Sequence, residues 1–552
     1  KMSFLNKELI NQSSALHPRP DFLFTYGTAG FREKGDLLDS VVFRVGMLAV
    51  LRSKHKNGQA IGVMVTASHN PVQDNGIKLV DPFGEMLEQS WEGFATELAR
   101  AKDNEVAVVL SNIIEVNKIN LSVVGKVVVA RDTRPSSLPL VNSVKDGVKV
   151  LDGHCDDFGL LTTPQLHYIV CCINTDGSYG EPTEEGYYKK FSTAFLNLRK
   201  MICKESEPTT IMVDGANGVG APKILEMMKY LDGTLQIQLY NDKTDDVLAL
   251  NKDCGADYVK THQNAPKGMN LIVGNRYLSF DGDADRIVYY YVNADKKFCL
   301  LDGDKIATLI AAFIKDKLNI AGIELTNGLG VVQTAYANGS STEYLTKKLN
   351  VPVGIAKTGV KHLHHKAQEF DIGIYFEANG HGTVIFSADA REKIRNPSNG
   401  LSDKQKEAVN KLNAFMELTN QTVGDAISDM LLVESILHEK QWSCIEWDNE
   451  YQDLPNKLGK VLVKDRRILT VNHDETRLIE PKELQQKIDE IVKCWPNCRS
   501  FVRPSGTEDV VRVYVEAHTL NITERVCGLV CQAVYDMCEG VGERAVLPPL
   551  LY

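Results

Sequence analysis

Asp281, Asp283 and Asp285 alternate along one short stretch, separated by Gly282 and Ala284 and closed by Arg286. Alternate residues of an extended segment project to the same side, so three carboxylates converge where hard oxygen ligands suit Mg²⁺. The small residues between them let the backbone bend around an ion. A solvated acidic turn or a calcium loop would use similar residues. Calcium spacing fails: counted from Asp281, the sixth position is Arg286 in place of glycine, and the twelfth is Val292 in place of a bidentate glutamate. A Mg²⁺ with few protein ligands usually counts phosphate oxygens among the rest. Phosphate chemistry is therefore expected elsewhere in the chain.

Three further segments carry suitable groups. Thr66-Ala67-Ser68-His69-Asn70-Pro71, with Asn75-Gly76-Ile77-Lys78 just beyond, follows a strand pattern and is expected to set the Ser68 hydroxyl on an exposed turn. Ser, Asn and Pro are also ordinary turn residues. A serine-hydrolase reading lacks the Gly-x-Ser-x-Gly elbow, and His69 is adjacent in sequence, a poor position for a base to its neighbour. Near the C-terminus, Arg503-Pro504-Ser505-Gly506-Thr507-Glu508, followed by Arg512, offers two guanidinium groups, two hydroxyls and a glycine-opened backbone. Such donors cradle a phosphate dianion, although a hairpin turn with a surface ion pair would look alike. In Phe376-Glu377-Ala378-Asn379-Gly380-His381-Gly382, a glutamate and an amide could hold vicinal sugar hydroxyls. Upstream, Lys357-Thr358-Gly359 and Lys361-His362 add cationic and titratable groups, which equally suit a solvated face.

These segments need rigid elements to hold them. The 552 residues predict roughly three to five domains, with clefts between them. With 43% hydrophobic and 24% charged residues the chain can bury several cores. The net charge of -10 argues against nucleic acid as a partner but permits anionic metabolites in locally basic pockets. The 12 cysteines show no disulfide framework. Cys494 and Cys498 lack a second ligand pair at zinc spacing. No apolar run approaches the 18 or so residues of a membrane span, the longest helical candidate being Ile306 to Ile314. Lys1-Met2-Ser3-Phe4 carry no apolar signal core, so a cytoplasmic location is expected and the Asn11, Asn120, Asn338, Asn420 and Asn521 sequons are expected to be unused.

β-branched runs followed by glycine-rich turns and amphipathic stretches recur, the pattern of α/β layers. Strands are expected at Ile61 to Thr66, Lys126 to Ala130, Thr210 to Val213 and Asn270 to Val273, and helices at Pro222 to Tyr230, Asp304 to Lys315 and Thr342 to Leu349. The last part pairs strands Gly459 to Val463 and Val510 to Glu516 with helices Pro481 to Cys494 and Thr523 to Cys538. The expected fold is α/β, with three α/β mixed-sheet domains (1–185, 186–300, 301–439) and a smaller α+β C-terminal domain (440–552) around a central cleft.

The four loops, in this order, resemble those of the α-D-phosphohexomutase family: a phosphoserine loop, a metal loop, a sugar-selecting loop and a phosphate loop, one from each of four domains. The likeness covers nearly the whole chain. Two departures point to the branch acting on N-acetylated amino sugars. Asn379 stands where glucose- and mannose-specific members typically have serine, giving an amide that could bond an acetyl group. Gly27-Thr28-Ala29-Gly30-Phe31-Arg32 precedes the serine loop, but Ala130-Arg131-Asp132-Thr133-Arg134-Pro135 follows it, whereas most members place that arginine segment first.

The resemblance implies interconversion of N-acetylglucosamine 6-phosphate and 1-phosphate, en route to the UDP-activated sugar. Phosphate carried on Ser68 would complete the shell of one Mg²⁺ on Asp281, Asp283 and Asp285. Arg503, Pro504, Ser505, Gly506, Thr507 and Arg512 would hold the substrate's own phosphate, and Glu377, Ala378 and Asn379 the ring. His69, Lys78, Lys357 and His362 are the candidate bases, with Arg32 and Arg286 supporting. The partners implied are sugar phosphates, without nucleic acid or membrane, and the pattern specifies no oligomer. Alternatives are a phosphoglucomutase or phosphomannomutase, a sugar-phosphate phosphatase, or a silent sugar-phosphate-binding module.

Overall fold

The computed structural model describes residues 5–202, 208–505 and 509–549. Three mixed sheets follow one another along the chain, then a three-stranded antiparallel sheet and a two-stranded ribbon. The first sheet orders its strands Phe31–Lys34, Asp74–Val80, Ile61–Val65, Lys126–Arg131 and His154–Leu160. The second runs Phe298–Leu301, Ile287–Val292, Tyr277–Phe280, Thr209–Asp214, Leu235–Tyr240. The third runs Val353–Ile355, Leu329–Gln333, Ile372–Phe376, Gly382–Phe386, and the last Asn456–Leu462, Val510–Glu516, Arg499–Pro504. This is the expected α/β class with a smaller α+β end. No described helix is long and apolar enough to cross a membrane.

One arrangement repeats in the three mixed sheets. Two parallel strands are followed across the sheet by a third parallel strand, whose C-terminal loop returns as an antiparallel neighbour. In the second and third sheets the loop-bearing hairpin follows the other two parallel strands in the chain. In the first sheet it precedes them, because Ile61–Val65 and Asp74–Val80 come before Lys126–Arg131 and His154–Leu160. The inverted motif order noted in the sequence is thus a reordering of strands within an unchanged sheet. Each of the four candidate loops joins two hydrogen-bonded antiparallel strands of its own sheet.

Local chemistry accounts for the frame. Ile61–Val65 is buried at every position, as a central strand covered on both faces must be, and reads as an unbroken apolar run. On one face lie the helices Asp39–His55 and Ser137–Val150, which cross where Gly46 and Gly147 meet backbone: a Cβ at Gly147 would sit 1.9 Å from the Phe43 carbonyl oxygen. The helix Gly303–Ala321 starts on the Asp302 side chain and stops at Gly322, whose φ of +68° an L side chain rarely adopts.

Two expectations are corrected. Asn270 to Val273 forms no strand: Ile272 and Val273 are exposed, and the central strand is the fully buried Tyr277–Phe280. A hydrophobic run marks a strand only where a partner covers it, and here the aromatic run pairs with Thr209–Asp214. The helix expected over 342–349 is a short α-helix, Gly339–Glu343, continued by a π-helical turn, Tyr344–Lys348.

Candidate active site

The serine loop is built on strain and buried hydrogen bonds. Ser68 has φ +51°, a left-handed conformation uncommon outside glycine. Its N–H donates to Thr66 Oγ1 (3.0 Å), and the Thr66 hydroxyl donates to Asp132 Oδ2 (2.7 Å). Arg134, ion-paired with Asp132, donates through Nη2 to the carbonyls of Ser68 (3.1 Å) and Asn70 (2.7 Å). The late-coming segment 130–135 therefore lies directly beneath the serine loop. Arg131 stays local, Nη1 3.4 Å from the Asp132 carbonyl. Asn251, from the second sheet's side, donates to the same two carbonyls at 2.9 and 3.1 Å. It is not discernible in the sequence because it lies 183 residues from Ser68.

The Ser68 hydroxyl meets the acidic triad, donating to Asp281 Oδ2 at 2.6 Å. Asp281, Asp283 and Asp285 are all buried, and one ligand atom from each lies within 4.8 Å of the others. Asp281 Oδ1 accepts the N–H groups of Asp285 (3.2 Å) and Arg286 (3.3 Å), and Asp283 Oδ2 accepts the Thr163 hydroxyl (2.5 Å). Asp283 Oδ1 and Asp285 Oδ1 are buried and accept no hydrogen bond among the described residues. Burial, then Asp285 and Asp283, push the Asp281 carboxyl well above the usual range. Burial also raises Asp285, but His381, Lys78 and Arg286 outweigh it and hold that carboxyl well below. Three clustered buried carboxylates with two orphaned oxygens want a small divalent cation. The residues present fit Mg²⁺.

Lys78 Nζ lies 3.6 Å from Asp283 Oδ2 and 3.5 Å from Asp285 Oδ2, as a counter-charge to the triad. His69 Nδ1 is 3.5 Å from Ser68 Oγ, too long for a strong hydrogen bond. Burial, then Arg286 and Arg32, push its imidazole down to about 2. Arg32 Nη1 donates to Asn70 Oδ1 (3.3 Å), and Arg286 Nε is 3.9 Å from both Asp281 and Asp285.

The sugar loop is sewn to the metal loop. Ile287 N–H donates to the Gly380 carbonyl (3.1 Å), and His381 Nδ1 lies 2.7 Å from the Asp285 carbonyl. A Cβ at Gly380 would meet Ile287 O at 1.9 Å. Glu377 Oε1 accepts the Gly359 N–H (3.2 Å), Asn379 Oδ1 accepts the His381 N–H (3.0 Å), and the Asn379 amino group donates to Glu377 Oε2 at 3.5 Å. The Ala378 carbonyl faces the Gly303 N–H at 3.5 Å. Lys357 and His362 are half-buried on either side of the 358–359 loop, and burial followed by Lys357 lowers the His362 imidazole.

In the last sheet Arg503 and Arg512 are cross-strand partners, and Lys460 is the partner of Arg512 on the other side. Opposed residues share a face, so three cations form one row. Lys460 escaped the sequence reading because its place in that row depends on register. Arg503 Nε donates to Tyr336 OH (2.9 Å), Pro504 pairs with Val511, and Ser505 N–H donates to the Val510 carbonyl (2.8 Å). Gly506 and Thr507 lie outside the described residues.

The Asn251 clamp makes a testable demand. Asn251→Ala should lower kcat roughly 10-fold or more by loosening the serine loop, as small misplacements of reacting groups do, with little change in melting temperature. An unchanged kcat in steady-state assays would assign Asn251 to structure alone.

Comparison with known proteins agrees with this geometry. Family models described as "Phosphoacetylglucosamine mutase AMG1, domain II" and "domain III" match residues 179–288 and 302–442. The models for phosphoglucomutase/phosphomannomutase alpha/beta/alpha domain I and C-terminal domain match 44–106 and 458–533. Phosphoacetylglucosamine mutase of Sus scrofa is 54% identical over 98% of this chain and 99% of its own, and that of Homo sapiens 53% identical over 97% and 98%. The crystal structure of Aspergillus fumigatus N-acetylphosphoglucosamine mutase in complex with GlcNAc-6P and magnesium superposes with a TM-score of 0.93 at 48% identity, covering 97% of this chain and 100% of that one. A reordered first sheet, a buried carboxylate triad on a strained serine and full-length likeness to these proteins converge: the chain belongs to the phosphoacetylglucosamine mutases of the α-D-phosphohexomutase family.

Proposed function

We infer that the chain is a mutase interconverting N-acetylglucosamine 6-phosphate and N-acetylglucosamine 1-phosphate through a phosphoserine and a sugar bisphosphate, in UDP-N-acetylglucosamine biosynthesis. The carrying observation is the contact of Ser68 Oγ with Asp281 Oδ2 at 2.6 Å, which sets a hydroxyl against the only acidic triad of metal-binding geometry among the described residues. Asp281, Asp283, Asp285 and an oxygen carried by Ser68 would hold Mg²⁺, which when bound supplies positive charge against the transferring phosphoryl group.

The chain's own residues account for the rest. Arg503, Pro504, Ser505, Gly506, Thr507 and Arg512, with Lys460 beside them, hold the phosphate already on the sugar. This leaves the free hydroxyl at the opposite end of the ring facing Ser68. The hydroxyl oxygen bonds to phosphorus as the Ser68 Oγ–P bond breaks, and the hydroxyl proton passes to a base. His69, Lys78, Lys357 and His362 are the candidate bases, and Lys78 also balances the triad's charge. The bisphosphate then turns end over end, the cradle grips the new phosphate, and the old one returns to Ser68 Oγ. Glu377 and Asn379 serve the ring in both orientations. The same reading divides the chain at 1–185, 186–300, 301–439 and 440–552, one loop to each domain.

The Asn379 amino group carries two N–H donors, and the one not engaged by Glu377 Oε2 suits an acetyl carbonyl as acceptor. A coupled assay on acetylated and plain hexose phosphates, with and without Mg²⁺, tests the assignment. The acetylated sugar should be preferred, and Asn379→Ser should shrink that preference roughly 5- to 20-fold, the worth of one hydrogen bond to a buried polar group. Faster turnover of glucose 1-phosphate by the unaltered enzyme would sink the amino-sugar reading.

A further inference from the structure

The phosphate cradle already holds an anion of the protein's own. Glu475 Oε1 accepts from Arg503 Nη1 at 3.3 Å, while its Oε2 accepts both the N–H (3.0 Å) and the hydroxyl (2.7 Å) of Thr358. The next amide, Gly359 N–H, donates to Glu377 in the sugar loop. One carboxylate therefore ties the phosphate-binding arginine to the segment that braces the sugar loop. Glu475 comes from the turn of the ribbon formed by Thr470–Val471 and Leu478–Glu480. That turn is stiffened by Asn472, which exchanges hydrogen bonds with Arg477, and by Asp474, which accepts from Thr476. Glu475 has φ +61°, a conformation that costs energy in a residue with a Cβ.

Glu475 and a substrate phosphate would compete for Arg503 Nη1. A phosphate dianion binds guanidinium more strongly than a single carboxylate contact at 3.3 Å does, so the substrate should take the arginine over. The reaction also contains an interval with no phosphate in the cradle, when the bisphosphate lets go in order to turn. Without Glu475, Arg503 would then face no anion, and the last sheet would lose its link to Thr358, though not its contacts with Ala335, Tyr336 and Ala337.

Resting on the phosphate-cradle reading above, we propose that Glu475 is a placeholder anion: it occupies Arg503 and ties the last sheet to Thr358 while the cradle is empty, and yields Arg503 to the sugar's phosphate. It is a positioning residue, acting through Arg503.

Glu475→Gln tests this, because the amide still accepts from Thr358 but no longer competes with phosphate by charge. Inorganic phosphate is titrated calorimetrically into the unaltered protein, Glu475→Gln and Arg503→Ala. Glu475→Gln should bind phosphate roughly three- to tenfold more tightly, with KM for the sugar phosphate falling by a similar factor and kcat not rising. Equal or weaker phosphate affinity in Glu475→Gln overturns the placeholder. If Arg503→Ala binds phosphate as well as the unaltered protein, the cradle itself is misassigned, a separate failure.

Discussion

Ser68→Ala should leave the fold intact and lower turnover roughly 10⁵- to 10⁶-fold, because in the proposed mechanism Ser68 alone carries the phosphoryl between the two ends of the sugar. The structural loss is one hydrogen bond, to Asp281, worth about 1 kcal/mol. Alanine meets the same left-handed backbone demand as serine, so the turn is not further strained. Intact-mass spectrometry supplies a second readout: the active protein should carry one phosphate on Ser68, and the variant none. Residual turnover within a hundredfold of the parent would remove the shuttle from the mechanism.

Losing the cation should have the next largest effect. Chelation should abolish activity reversibly, and Asp283→Asn should lower kcat roughly 10³-fold, the equivalent of several kcal/mol of charge stabilisation. Asp283 suits this test because its Oδ1 accepts no hydrogen bond among the described residues while its Oδ2 is held by Thr163. An isosteric amide thus removes a ligand's charge without emptying space. A readout independent of activity follows from mass action. A cation that binds only the folded triad at a hundred times its dissociation constant adds about 2.7 kcal/mol, so Mg²⁺ should raise the melting temperature of the unaltered protein and much less that of Asp283→Asn. Equal stabilisation of both would place the cation elsewhere.

Much of the site was legible because each loop packs its chemistry into one contiguous run bounded by a strand. The alternation of Asp281, Asp283 and Asp285 encodes convergence directly, and the glycines beside Glu377 and Asn379 mark a tight return. The groups that long-range packing brings in were not legible. Thr163, Asn251, Tyr336 and Lys460 reach the site from sheets or segments far along the chain, and nothing in their neighbours announces it. Glu475 looks like any turn acid until the ribbon folds against Thr358. Strand order was legible only as an inverted pair of motifs; that the sheet itself is conserved in form required the register. The misplaced strand at 270–273 has the same origin, since β-propensity reports a half-buried surface and cannot say which run is covered.

Each loop hangs from its own sheet, yet the proposed chemistry requires all four at once. Gentle heating that lets the last sheet, which has a core of its own, drift against the other three should silence the enzyme while every hairpin keeps its ladder. Inactivation should therefore run ahead of the far-ultraviolet signal, and excess sugar phosphate, by bridging the separate tips, should draw the two temperatures together.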